Sequence, residues 1–239
     1  MRAGILAAGT GERLKAAGIP GPKALLRVGG TPLIERLLGE LGAAGVTEAV
    51  GIVNEQSEEV IRYVQGLKGI PPTRWIMKTT ASSLESLYAI ASELRGEPYL
   101  LTTVDSVYPP RTLARFAERA QAVPAADVVL AITDFVDDEK PLRLLFAPGG
   151  RVTALGQTVR DSHWVTAGFY WISAAVQSSI ERSKSRNLAS LRWLLQSFVE
   201  DGLRVYAMPV PKTVDVDRPE DIVRAEEMLK QAANSNVTR

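Results

Sequence analysis

The residues best suited to chemistry come first in the chain: Leu6-Ala7-Ala8-Gly9-Thr10-Gly11-Glu12-Arg13-Leu14, with Pro22-Lys23 shortly after. Glycines let a backbone approach a ligand closely and leave N–H groups pointing outward. A helix opening at Glu12 and Arg13 would add the partial positive charge of its N-terminus, which suits a phosphate chain. A tight strand-to-helix turn needs the same glycines, so the turn alone leaves both readings open. Its surroundings narrow the choice. A dinucleotide fingerprint would need a third glycine where Leu14 stands, and a Walker loop would need Gly-Lys-Ser/Thr after a longer gap. Arg13 and Lys23 remain, two cations beside one set of backbone donors, a combination that points to a triphosphate.

Asp105 closes the run Leu100-Leu101-Thr102-Thr103-Val104. At the end of a buried strand it can serve a cation or a substrate hydroxyl, or cap the turn at Ser106-Val107-Tyr108. Asp215 and Asp217 are spaced i, i+2 and point to one side if the segment is extended. With Pro219 and Glu220 behind it, Asp217 is expected to cap the last helix, which leaves Asp215 for another task. Carboxylates from distant parts of a chain can share one Mg²⁺ and leave positions open for phosphate oxygens. Ser82 and Ser83 lie where a helix starts; they can touch a base, ribose or second substrate, or Ser82 can form a capping box with Glu85. Within Thr166-Ala167-Gly168-Phe169-Tyr170, Gly168 admits a close substrate approach or marks a bulge. His163 reads as structural, and Lys184, Lys212 and Arg218 as surface cations.

Composition excludes several classes. The 239 residues are 46% hydrophobic and 23% charged with a formal net charge of +1, which fits one domain of ordinary globular make-up and no polyelectrolyte partner such as nucleic acid. The absence of cysteine excludes disulfides, thiolate chemistry and Cys-based zinc sites, and a single histidine disfavours a transition metal. A hard cation on oxygen ligands is left. No apolar stretch reaches the roughly 20 residues that span a bilayer, and no signal-peptide core forms, so a cytoplasmic location with no membrane partner is expected.

Short apolar runs alternate with helical spacing. Strands are expected at 2–7, 46–53, 74–78, 99–104 and 127–134, and helices at 32–45, 57–65, 82–95 and 110–121. The alternation implies a mostly parallel sheet covered on both faces, with ligands beyond the carboxyl ends of its strands. After about 138 the pattern changes: strands at 143–146, 152–155 and 164–172, with a turn at Pro148-Gly149-Gly150, read as an antiparallel section added to one side. Helices at 174–183 and 188–201 flank a loop at 183–187, a strand follows at 203–210, and a last helix at 219–232 precedes a tail at 234–239 expected to fray. The chain is thus read as one domain of three stretches: a core (1–135), an antiparallel section (136–215) and a terminal helix and tail (216–239).

Together these residues resemble the nucleotidyltransferase superfamily that makes nucleoside-diphosphate sugars and related activated alcohols. The likeness rests on the 6–14 motif with Pro22-Lys23 and Gly30-Thr31-Pro32-Leu33-Ile34. It implies a Rossmann-like α/β fold of the glycosyltransferase-A kind and Mg²⁺-dependent transfer of a nucleoside monophosphate from an NTP to a small phosphorylated sugar or alcohol, with release of pyrophosphate. It also implies that Leu6, Ala7, Ala8, Gly9, Thr10, Gly11, Glu12, Ser82 and Ser83 bind the NTP, that Arg13 and Lys23 act on its phosphates, and that Asp105 and Asp215 hold the metal, with Asp217 the alternate to Asp215. Thr166 and Gly168 are assigned to the acceptor. Three departures stand out. Glu12 replaces the usual Thr or Ser, Val104-Asp105-Ser106 replaces Gly-Asp-x, and the 79–88 segment is closer to cytidylyltransferases for phosphocholine or inositol phosphate, or to the molybdenum-cofactor type. A non-catalytic nucleotide-binding module is the alternative of a different class; a dinucleotide oxidoreductase is disfavoured by the missing third glycine.

Overall fold

Residues 2–8 divide their side chains between two apolar layers: Ala3, Ile5 and Ala7 enter one, Leu6 and Ala8 the other. Such two-sided burial is what a central parallel strand requires. The computed structural model describes residues 1–135, 141–156 and 158–237. The first half runs β1 (Arg2–Ala7), α1 (Glu12–Ala16), β2 (Arg27–Val28), β3 (Thr31–Pro32), α2 (Leu33–Ala43), β4 (Glu48–Val53), α3 (Glu58–Gln65), β5 (Thr73–Met77), α4 (Ser83–Ala91), β6 (Tyr99–Thr103), β7 (Ser106–Val107), α5 (Thr112–Gln121) and β8 (Val128–Thr133). The second continues through β9 (Leu144–Phe146), β10 (Val152–Leu155), β11 (Val165–Ile172), α6 (Gln177–Ser183), α7 (Leu191–Glu200), β12 (Val205–Pro209), β13 (Val214–Asp215) and α8 (Pro219–Val237).

The main sheet has the order β12-β8-β11-β6-β1-β4-β5. Neighbours run parallel except at β11, which is antiparallel to both β6 and β8. The antiparallel element is therefore not added to one side of the parallel core, as the sequence suggested, but inserted near its middle. Strand order depends on long-range pairing that periodicity does not encode. β9 and β10 stand apart as a two-stranded antiparallel sheet, joined through Gly149 and Gly150, both at positive φ as their turn demands; β2 with β3 and β7 with β13 form two more such pairs.

Two helical layers cover the sheet. Residues of α2, α3, α5 and α8, such as Leu38, Val60, Phe116 and Ala225, pack on one face. Leu87 of α4, Ile180 of α6 and Phe198 of α7 pack on the other. Phe169 of β11 meets Phe116 edge-on at 5.1 Å and Tyr108 at 4.9 Å, so the reversed strand is held to the layer beneath Asp105. Burial of each large side chain contributes about 1.5–3 kcal/mol. Some boundaries differ from expectation. Residues 184–186 form a 3₁₀ turn rather than a loop, and α8 continues to Val237; residues 238–239, the end of the tail, and 136–140 lie outside the described residues. Among the described residues no helix is long and apolar enough to cross a membrane.

Asp127, just before β8, ties that strand to the edge. Its carboxylate accepts from the Arg204 backbone N–H at 2.8 Å and from Arg204 Nη2 and Nε at 3.0 and 3.1 Å. These bonds, opposed by partial burial, hold its carboxyl below the ordinary carboxylate range. A depressed folded-state pKa stabilises above the unfolded value of about 4 and stops doing so as pH falls through the folded value. Asp127→Asn is expected to lower unfolding free energy by about 1 kcal/mol at neutral pH. Paired urea titrations should show that deficit shrinking as pH falls below about 4.

Candidate active site

The parallel strands end on one rim, where the loops after β1 and β6 lie side by side because Leu6 is in register with Thr103. In the first loop the two glycines do different work. Gly11 has φ +66°, a conformation side chains rarely adopt, and leads directly into α1. A Cβ at Gly9 would meet nothing within 4 Å, and Gly9 lines an open cavity. Packing therefore does not demand a glycine there, whereas close approach of a ligand would. Buried Leu14 anchors α1 below, and Glu12 starts it on the cavity side as an acidic first-turn residue. Asn54, which sequence reasoning missed, braces the loop by donating to the Ala8 carbonyl at 3.4 Å.

Lys23 begins a 3₁₀ turn and is buried, with only 8% of its side chain exposed. Its ammonium donates to Asp105 Oδ2 at 2.6 Å and to Asp217 Oδ1. Arg13 Nη1 lies 3.5 Å from Asp217 Oδ2. Asp217 does not cap the last helix as expected. Asp221 does so instead, its Oδ2 accepting from the N–H groups of Asp217 and Arg218 at 3.0 and 2.8 Å. Reaching back from the first helical turn, Asp221 satisfies these donors, and the Asp217 side chain turns to the cations.

Asp215 arrives by β-pairing. β13 lies antiparallel to β7 with Asp215 opposite Ser106, and the Val216 N–H donates to the Asp105 carbonyl at 3.0 Å. Ser106 Oγ donates to Asp215 Oδ1 at 2.6 Å and lies 3.0 Å from Thr103 Oγ1. Three aspartates from two distant segments thus share one cleft. Burial works to raise the Asp105 carboxyl, but the Lys23 ammonium and its hydrogen bond outweigh that and hold it low. Burial also works against the charge of Lys23, yet Asp105 and Asp217 raise its pKa. Asp215 is exposed on the cleft, with protein atoms crowded around it. Partial loss of water around it and the Asp105 charge push its carboxyl up to about 7. Among the described residues, no three acidic or histidine side chains converge into a ready-made metal cage. Asp105, although paired with Lys23, and Asp215 with neighbouring hydroxyls are nonetheless an oxygen-only donor set, which fits a Mg²⁺ completed by phosphate oxygens.

Two cavities meet at this cluster. One, of about 430 Å³, is lined by the Gly9–Gly11 loop, Lys23 and Ser82. The other, of about 350 Å³, is lined by Thr166, Gly168, Tyr170 and the starts of α7 and α8. Both include Arg13, Ser83, Asp105 and Asp217. Ser82 caps α4, accepting from the Glu85 N–H at 3.2 Å, while Glu85 accepts from Ala81 at 3.1 Å; the same residue borders the first cavity, so its two readings are compatible. The second cavity adds Arg192 and Arg224, unmarked in the sequence because nothing local distinguishes them from surface arginines. Arg218 lines it too, whereas Lys184 pairs with Glu181 at 2.7 Å and His163 is exposed beside Trp164.

The model of the MobA-like NTP transferase domain matches residues 3–191, most of the chain. The chain belongs to this family. It is 28% identical to the bifunctional IPC transferase and DIPP synthase of Rubrobacter xylanophilus over 98% of its own length and 53% of that protein. To the CMP-5'-(3-aminopropyl)phosphonate synthase of Streptomyces rubellomurinus it is 29% identical, over 68% of its length and 28% of that protein. It therefore spans about half the length, or less, of these curated relatives. Its fold matches the inositol-1-phosphate CTP transferase of T. maritima with a TM-score of 0.80 at 22% identity, over 96% of each chain. As a MobA-like NTP transferase domain, it carries the α/β nucleotidyltransferase architecture with its mostly parallel sheet.

Gly168 joins fold and site. It has φ +81° at an irregularity in the β11–β8 pairing, and a Cβ there would lie 2.0 Å from Ser106 Oγ. The close approach it permits is that of Ser106, the donor to Asp215. Gly168→Ala is expected to cost about 1–3 kcal/mol of stability, read as a lowered urea midpoint.

Proposed function

We propose that this chain transfers a nucleoside monophosphate from an NTP to a phosphorylated sugar or alcohol with release of pyrophosphate. The observation that carries the reading is the junction of two cavities at Arg13, Asp105 and Asp217, with Lys23 on one side and Asp215 on the other. The larger cavity, with Leu6, Ala8, Gly9, Thr10, Gly11, Glu12 and Ser82 on its walls, suits the NTP, its base choice left to loop backbone contacts. The second, reached from Thr166 and Gly168, suits the acceptor. In this reading residues 1–135 bind nucleotide, and residues 136–215 bind the acceptor.

An acceptor phosphate oxygen attacks the α-phosphorus; a new P–O bond forms there as the bond to the β-phosphate oxygen breaks, and pyrophosphate leaves. No protein nucleophile is needed, only positioning and charge compensation. Arg13 and Lys23 offset charge on the triphosphate and the leaving group. Asp105 and Asp215 would hold Mg²⁺, with Asp217 the alternate partner; the metal supplies Lewis-acid neutralisation of the phosphate oxygens. Ser106, by donating to Asp215, keeps one carboxylate oxygen oriented.

Pyrophosphate release, measured with the four NTPs against a panel of phosphorylated sugars and alcohols, tests this. Asp105→Ala is expected to lower turnover by about 100-fold or more with an unchanged far-UV circular dichroism spectrum, and full activity in that variant would overturn the assignment. A chelator such as EDTA should abolish pyrophosphate release, and excess Mg²⁺ should restore it.

A further inference from the structure

Arg111 holds a backbone conformation that side chains rarely adopt. Its φ is +64°, and it stands at the start of α5 without capping that helix through its own side chain. The cap comes from α2 instead. Glu40 Oε1 accepts from the Arg111 N–H at 2.8 Å, and the Leu113 N–H also supports the charged carboxylate. Burial opposes that charge and pushes the Glu40 carboxyl above its ordinary value. Among the described residues, Glu40 Oε2 and the Tyr108 hydroxyl are buried without a hydrogen-bond partner. A half-buried carboxylate set against a strained backbone is costly on both counts, and the transfer step described above does not employ it.

What Glu40 restrains is the strap from Tyr108 to Arg111, which follows directly on Asp105, Ser106 and Val107. That short run carries a candidate metal ligand, the donor to Asp215 and the pairing with β13. Tyr108, at the head of the strap, packs against Phe169 at 4.9 Å, next to Gly168. Its phenol also senses the Glu40 charge. One helical turn before Glu40, Arg36 Nη2 donates to the Val28 carbonyl at 2.7 Å, in the hairpin that follows the Lys23 turn. The Lys23 turn itself closes on α2, where the Leu33 N–H donates to the Leu26 carbonyl at 2.9 Å. A single helix is thus bonded to both segments whose side chains, Lys23 and Asp105, meet at 2.6 Å. Shifts of about 1 Å are enough to slow a reaction that depends on placement.

We infer that Glu40 is a positioning residue: by holding Arg111 in its left-handed conformation it fixes the strap behind Asp105, and so sets where Asp105 and Ser106 stand relative to Lys23. The inference rests on the transfer reading above, in which Asp105 holds the metal. The nucleotide loop at Gly9–Gly11 is held separately, through α1 and Asn54, so loss of the restraint acts on the metal and the rate rather than on NTP binding.

The test is pyrophosphate release, with folding followed by circular dichroism and the thermal midpoint. Glu40→Ala is expected to lower kcat by about 10-fold and to raise the Mg²⁺ needed for half-maximal rate by about as much, with the NTP KM at saturating Mg²⁺ within about 2-fold of wild type. Glu40→Gln, which keeps a carbonyl oxygen for the Arg111 N–H, should recover most of the loss. Arg111→Gly added to Glu40→Ala should do the same, because glycine holds a positive φ without the restraint. If Glu40→Ala does not fold, Glu40→Asp, whose carboxylate stops one methylene short, takes its place in each comparison. A purely structural cap would lower the thermal midpoint and leave kcat and the Mg²⁺ requirement of the folded enzyme unchanged, and that result overturns the inference. So does a kcat loss that either repair fails to reverse. Electron paramagnetic resonance of Mn²⁺ separates the two proposals. If wild type binds Mn²⁺ with NTP but releases no pyrophosphate with any acceptor, the transfer reading falls. Mn²⁺ binding about 10-fold weaker in Glu40→Ala then sustains the placement of Asp105, and unchanged binding overturns it. Failure of wild type to bind Mn²⁺ at all overturns both.

Discussion

The site depends on the placement of the Lys23 ammonium. It lies between carboxylates that come from positions 105 and 217, and it is itself taken out of water. Removing a charge from water costs several kcal/mol unless opposite charges surround it, and two aspartates at one cation supply that compensation. The same contact joins the turn after α1, the end of β6 and the approach to α8. Arg13 stands at the outer side of Asp217, so the cleft alternates charge rather than accumulating one sign.

That arrangement is possible because β11 is reversed. An antiparallel strand between β6 and β8 begins on the rim where its neighbours end, so Thr166 and Gly168 face the loop after β6. Gly168 then lets Ser106 approach to a distance no side chain would tolerate, and Ser106 is the residue that orients Asp215. Small residues at the centre of the molecule thus set the spacing of carboxylates at its surface.

Much of this was legible from residue order. The β-rich runs at 2–7, 99–104 and 127–134 and the glycine turn predicted both the parallel core and the rim where Asp105 would stand. The place of β11 was not legible, because a strand of continuous apolar residues carries no mark of its direction or neighbours. Asp217 was assigned to helix capping on local spacing, a task that Asp221 performs from within the first turn. Local pattern does not register the pull of Lys23 and Arg13, which draws the Asp217 carboxylate away from the helix start while Asp221 accepts from the N–H groups of Asp217 and Arg218. Arg192 and Arg224 had no sequence signal, since helix-surface arginines are common and their cavity exists only after α7 and α8 are packed.

By itself, then, the sequence determined the chemical inventory: backbone donors at Gly9 and Gly11, two cations, oxygen ligands alone for a metal, and no thiol or imidazole pair for other chemistry. These follow from residue identity and short-range spacing, which are properties of the chain. The tertiary structure alone decided which aspartates face which cations and which arginines share a cavity with them. It also decided why residue 168 must be glycine. Those outcomes depend on distances between segments far apart in the chain, 82 residues for Lys23 and Asp105 and 194 for Lys23 and Asp217, and such distances are set by packing across the sheet rather than by anything written locally.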